Sequence, residues 1–274
     1  MKPKLITPLL GFFALFAGLI LSDHSSHLAL ASIPPTRSGA NQKSIELEVL
    51  RDMKAHSSAH FGSLIQDWKT KYAAEPDALT EALRSISLSQ NQEDTYRYIG
   101  VFGLHQLGLF SRLENLKPFL KDSSWMIRNA ALKVIQELNT PAAGELATSL
   151  MNDPALVVRA QAVETVGQTR PQNALSLLLK TLEDPSNYQN GKAFWIPQKT
   201  LQLLPVMRTS QNEDQILRAL KPLLKHKNDE TLQKNLHATL ESITRHRMPS
   251  SSHQNSLATS AAWFNYLDNR FSKN

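Results

Sequence analysis

The apolar positions of this chain fall into short runs with a helical step. Between 110 and 121, Leu113, Leu116 and Leu120 recur at intervals of three and four, and between 124 and 138 so do Ile127, Ala131, Val134, Ile135 and Leu138. Residues at those intervals share one side of an α-helix. The stretch therefore predicts two amphipathic helices joined at Asp122, whose side chain is placed to cap the second helix. The arrangement then repeats. Asp122 and Arg128 return 31 residues later as Asp153 and Arg159. The same step leads forward to Asp184 and back to Arg97, while Asn91 stands where the first aspartate would be. Gly100, Ala131 and Ala162 form one column of small residues, and Val101, Leu132 and Val163 form an apolar one.

A pair of helices this short cannot hide its apolar side alone. Copies stacked side by side can, which predicts an all-α protein, an α-solenoid of about five two-helix repeats. The repeats are expected over 77–108, 110–139, 141–170, 171–210 and 213–247. A solenoid must also cover its two ends. A helical cap is expected over 44–76, where Phe61, Leu64, Ile65, Trp68 and Tyr72 make one stripe, and a capping helix over 259–274 around Trp263, Phe264, Leu267 and Phe271. Residues 248–258 read as a polar linker and 32–43 as a disordered leader.

Two places depart from the period. After Asp184 the next basic residue in the arginine role is Lys199, which implies about nine inserted residues within Ser186 to Pro197, among them Tyr188, Phe194 and Trp195. Aromatic side chains anchor interfaces disproportionately. These three are candidate partner contacts, against the plainer reading that Phe194 and Trp195 plug a widened turn. In the fifth pair, Lys234 follows Asn228 at the arginine spacing.

Asp-x5-Arg between two short helices, with Val or Ile before the arginine and Ala three after it, resembles the HEAT repeat. The 31-residue period is similar to the short HEAT-like repeats also found in phycobilin lyases. The likeness is fullest over 110–170, thinner over 77–108 and thinnest over 171–247. It implies that Asp and Arg pair along the stack as structural rungs (Arg97, Asp122, Arg128, Asp153, Arg159, Asp184) and that the second helices line a concave face. Arg97, Asn129, Lys133, Gln161 and Glu164 would be presented there.

Composition narrows the functional classes. The first 31 residues read as a signal peptide: Lys2 and Lys4, an uncharged stretch from Leu5 to Ser22, then Ala29-Leu30-Ala31. The chain is thus expected to be exported to the periplasm or the extracellular space, with an uncleaved membrane anchor as the alternative. After cleavage no integral membrane segment remains. Removing residues 1–31 takes away Lys2, Lys4 and Asp23 and lowers the formal charge from +6 to +5. Cysteine is absent, which excludes disulfides, cysteine nucleophiles and cysteine zinc sites.

Candidate chemistry is sparse. His56 and His60 have the spacing of two helical zinc ligands, but no glutamate lies between them. Neither a Gly-rich phosphate loop nor a G-x-S-x-G elbow occurs, and a recurring Asp and Arg suit a structural rung better than a single active site. No cofactor or metal is expected. The reading is a non-enzymatic scaffold that binds a protein or peptide on its concave face, with a lyase-like enzyme or enzyme subunit as the alternative. A second alternative is contact with an anionic polymer or membrane surface through 218–247. There Arg218, Lys221, Lys225, Lys227, Lys234, Arg245 and Arg247 outnumber Asp229, Glu230 and Glu241. Nucleic acid is not expected for an exported chain.

Overall fold

The computed structural model describes residues 39–56, 61–246 and 256–272. The signal-peptide reading, His60 and most of the polar linker fall outside them. Apart from one two-stranded hairpin, the regular structure of the described residues is helical, and they form two units, divided after Arg112.

The first unit holds α1 (Gly39–Ala55), α2 (Phe61–Lys71), α3 (Pro76–Leu88) and α4 (Asp94–Gln106). Helix α1 begins at Gly39, inside the segment expected to be a disordered leader. Its buried face is formed further along, by Ile45, Val49, Leu50 and Met53. Helices α3 and α4 are the 77–108 pair. They approach closely at Gly100, where an added Cβ would lie 2.2 Å from Ser87 Oγ and 3.2 Å from the Leu83 carbonyl oxygen. This is the physical reason for the small-residue column. Arg97 is buried, donates to the Ser87 carbonyl at 3.2 Å and pairs with Asp94 at 3.0 Å. It is a structural residue and is not presented on a binding face.

The second unit stacks helix pairs. Its second helices are α6 (Trp125–Leu138), α8 (Leu156–Thr169), α10 (Trp195–Met207) and α12 (Glu230–Thr244), each packed on the next. The first helices are α5 (Lys117–Leu120), α7 (Pro141–Thr148), α9 (Ala174–Glu183) and α11 (Glu213–Leu220). Two of these four are shorter than the apolar pattern predicts. The expected helix 110–121 is two 3₁₀ turns followed by α5, and 213–226 is α11 followed by a 3₁₀ turn. Pro118 and Pro222 lie at these junctions, and proline has no N–H to continue an α-helical ladder. Helix α13 (Ser256–Phe271) closes the end, with Trp263 and Leu267 fully buried; it starts three residues inside the expected linker.

Buried positions fix the register of each layer. Val158, Ala162, Val163 and Val166 of α8 correspond to Ile196, Thr200, Leu201 and Leu204 of α10. That sets a step of 38 instead of 31, an insertion of seven residues and not nine, and it puts Pro197 in the arginine column in place of Lys199. In α12, Leu232, Leu236, Leu240 and Ile243 set Gln233 in that column instead of Lys234. Gln233 does part of the arginine's work: its Nε2 donates to the carbonyls of Leu223 at 2.9 Å and His226 at 3.2 Å.

The α10–α12 joint also answers a local defect. Pro205 lies inside α10 and has no N–H for the Leu201 carbonyl. Thr239 Oγ, from α12, reaches that carbonyl at 3.1 Å, sharing its one proton with the Asn235 carbonyl at 2.8 Å. Thr239→Val is expected to cost about 1–2 kcal/mol, since a buried acceptor is left unpaired. In a Pro205→Ala background, where residue 205 regains its N–H, the same change should cost roughly half or less. A double-mutant cycle by urea denaturation reads the difference, and equal costs in the two backgrounds would refute the assignment.

Candidate functional site

The aspartate–arginine rungs are built from three kinds of bond. Asp122 Oδ1 accepts from the Ser124 N–H at 2.8 Å, Asp153 Oδ1 from the Ala155 N–H at 2.8 Å and Asp184 Oδ1 from the Ser186 N–H at 2.9 Å. Asp122 and Asp153 therefore make Asx turns just ahead of α6 and α8 and are not themselves the caps, the cap position being Ser124 at α6 and Ala155 at α8, whereas Asp184 caps the 3₁₀ turn that follows it. Arg128 then reaches in two directions. Its Nη1 donates to the carbonyls of Asp122 and Ser123 in its own layer, and Nε and Nη2 grip both oxygens of Asp153 in the next, at 2.6 and 2.8 Å. Asp153 holds the guanidinium charged against the opposing effect of burial.

The next rung is incomplete. Arg159 Nη1 donates to the carbonyls of Asp153 and Pro154, but its buried Nε has no partner, and no ion pair to Asp184 forms among the described residues. Asp184 does not open directly into a second helix as Asp122 and Asp153 do. It leads into a 3₁₀ turn and the hairpin β1 (Tyr188–Gln189) and β2 (Lys192–Ala193), so the chain departs from the path that would bring the carboxylate to Arg159.

The hairpin turns at Asn190 and Gly191, both with positive φ, as its two-residue connection requires. The dipeptide Asn-Gly was the sequence signal for it. The hairpin is fastened on both sides. Tyr188 Oη donates to the Leu182 carbonyl at 2.8 Å, its ring stacks on His226 at 5.0 Å, and burial pushes its hydroxyl up to about 12. Asp229 caps α12 through the Leu232 N–H at 2.9 Å, and its other oxygen accepts from the Ala193 N–H at 2.7 Å. Tyr188 is thus committed to the fold. Phe194 is half-buried, and Trp195 is 56% exposed instead of plugging the turn.

Trp195 opens a stripe. Along α10, Trp195, Lys199, Gln202 and Val206 recur at helical spacing, all partly or fully exposed, with Val206 at 58%. The register places Val157, Gln161, Glu164 and Gln168 beside them on α8, and Met126, Ala130, Lys133 and Glu137 on α6. On α12 the stripe is Thr231, Asn235, Ala238 and Ser242. Apart from Ala130 and Gln161, which are buried, these residues make the free face of the second helices. Its charges interlock: Lys199 Nζ donates to Glu164 Oε2 at 2.5 Å. Burial lowers the pKa of Lys133 while Glu164 and Glu137 raise it and Lys199 lowers it further. An amide chain runs alongside, from Gln161 Nε2 to Gln136 Oε1 at 2.8 Å and from Gln136 Nε2 to Gln168 Oε1 at 2.5 Å. Of the residues expected here, Lys133 and Glu164 reach the surface. Asn129 and Gln161 are buried, because close stacking of the second helices covers their flanks.

The basic segment divides. Lys221 pairs with Asp268 and lies 4.8 Å from the Phe264 ring centroid, while Arg218 lies 4.3 Å from that of Phe271, so both hold α13. Arg270 adds ion pairs at 2.8 Å to Glu213 and to Asp214. Lys225 and Lys227 remain exposed.

The fold also brings together a serine and a histidine that sequence spacing does not suggest. His237 Nε2 lies 3.0 Å from Ser260 Oγ. Gln233 Nε2 is spent on two carbonyls, so its Oε1 accepts the Ser260 proton at 2.7 Å. His237 must then donate, which is the wrong tautomer for a general base. The cluster is an α12–α13 clasp, and burial lowers the pKa of His237. Among the described residues no three acidic or histidine side chains gather as a metal site, and no helix is long and apolar enough to cross a membrane.

Residues 113–191 match the family model for HEAT repeats. A solved structure similar to it is the complex of CpcE and CpcF of phycocyanin lyase from Nostoc sp. PCC7120. It shares 15% identity and covers 89% of this chain and 100% of that one, with a TM-score of 0.30. Comparison with curated proteins gives no match.

Proposed function

We propose that the chain is an exported, non-enzymatic scaffold that binds a protein or peptide segment on the free face of α6, α8, α10 and α12. One observation carries the reading: Trp195 and Val206 lie exposed on a single stripe of α10. Exposed large apolar side chains grouped on one face mark a contact surface more often than scattered ones do. The hairpin and Asp229 hold the start of that helix rigidly, which reduces the entropy lost on binding. HEAT repeats generally mediate protein interactions, and the Lys2-to-Ala31 segment supports export.

A photocrosslinking residue at Gln202 tests the function, with one at Lys180, exposed on α9, as the control. Gln202 is expected to capture a stoichiometric partner from the exported fraction and Lys180 to capture none. Equal capture from both positions, or none from either, would overturn the reading. The mature protein is expected to begin at Ser32; mass measurement of its N-terminus checks the export step.

A further inference from the structure

We infer that Arg159 is a carboxylate-binding site: the Nε–Nη2 edge of its guanidinium takes a carboxylate of a second molecule, as the same edge of Arg128 takes Asp153. Arg159 follows Val157 by two residues on α8, which puts the two on roughly opposite sides of the helix. The site therefore lies away from the stripe of Trp195 and is independent of the binding reading above.

The two arginines are held alike. Arg128 Nη1 donates to the carbonyls six and five residues before it, Asp122 at 2.7 Å and Ser123 at 3.0 Å. Arg159 Nη1 donates to the carbonyls at the same two offsets, Asp153 at 2.7 Å and Pro154 at 3.2 Å. Anchoring one end of a rigid, planar fork also directs its other edge. On Arg128 that edge meets both oxygens of Asp153, at 2.6 and 2.8 Å. On Arg159 the Nε is buried without a hydrogen-bond partner.

The next layer supplies no carboxylate. A step of 31 from Asp153 leads to Asp184, whose Oδ1 is turned to the Ser186 N–H at 2.9 Å. The step of 38 set by burial leads to Gly191, in the exposed hairpin turn, where an added Cβ would meet nothing within 4 Å. Its neighbours Asn190 and Lys192 are not acidic. A buried donor left unpaired is unfavourable, so a ligand that pairs it removes that penalty and meets a group already oriented. A carboxylate has the matching chemistry: it is planar, charged, and offers two acceptors to the two parallel N–H groups of the fork. A neutral amide offers one acceptor and no charge. Arg159 is half-buried, which shields the pair from solvent more than a fully exposed arginine would.

The arginine Nε–H signals in proton–nitrogen correlation spectra of the full chain report on the site directly, with that of Arg159 assigned by its loss in Arg159→Lys. The probes are short acetylated, amidated peptides carrying one glutamate, one glutamine or one phosphoserine, and a glutamine peptide with a free C-terminal carboxylate. A carboxylate peptide is expected to move the Arg159 signal saturably, while the Arg128 signal, whose edge is taken, stays in place. A shift with the glutamate peptide alone assigns the site to an acidic side chain, and one with the free terminus alone assigns it to a chain end. Arg159→Lys keeps the charge and loses the fork. It should weaken that peptide by about tenfold or more in calorimetry with an unchanged thermal melt. No shift with either carboxylate, an equal shift with the amidated glutamine peptide, tighter binding of the phosphoserine peptide, or unaltered affinity in Arg159→Lys overturns the inference.

Discussion

Arg128→Ala is expected to lower the unfolding free energy by about 3–5 kcal/mol, the range for removing one member of a buried, hydrogen-bonded ion pair. The loss has two parts. Asp153, almost fully buried, is left with an uncompensated charge, and the carbonyls of Asp122 and Ser123 lose their donor. The same change at Arg159 should cost about 1 kcal/mol or less, because that guanidinium grips no carboxylate and one of its buried N–H groups is already unpaired. Urea denaturation of the two variants side by side measures the contrast. Similar losses would mean that the two rungs are equivalent, against the geometry.

Trp263→Ala is the second large effect, about 3–5 kcal/mol. The indole is fully buried between α12 and α13 among Leu236, Leu240, Ile243 and Leu267. Truncation leaves a cavity at the end of the stack and removes the apolar anchor of α13. The ion pairs from Arg270 and Lys221 then hold a helix with little left to bury, and pairs near the surface contribute about 1 kcal/mol or less each. Trypsin should cut near Arg270 faster in the variant. Trp263→Phe should be much milder, because Nε1 makes no hydrogen bond that would be lost. A Phe variant as unstable as the Ala variant would contradict this account.

The helices and the rung between Arg128 and Asp153 were legible because both depend on local spacing that recurs. Periodic apolar residues place a helix without knowledge of its neighbours, and a 31-residue step announces what the neighbour is. The later layers were harder. Lys199 and Lys234 have the right chemistry for the arginine column, but Pro197 and Gln233 have the right burial. Turn lengths had changed, and counting from the aspartate no longer located the helix. Asn190-Gly191 was readable as a tight hairpin, and its absence from the sequence reading left Tyr188 as a free aromatic when it is tied to Leu182 and His226. The free face was half visible: Lys133 and Glu164 were placed on it, while Arg97, Asn129 and Gln161 turned inward, a distinction that depends on how closely the helices stack. The clasp of His237, Ser260 and Gln233 carries no signal at all in the order of residues.

The carboxylate of Asp229 binds the hairpin through the backbone N–H of Ala193, not through any side chain. The mooring is therefore indifferent to what residues 189–192 display. Gln189, Asn190, Gly191 and Lys192 are all exposed beside Trp195, and only the Asn-Gly pair is constrained by its turn. Gln189 and Lys192 form a small display platform that can be rewritten without unseating the layer beneath, which makes them the natural place for related chains to diverge in sequence.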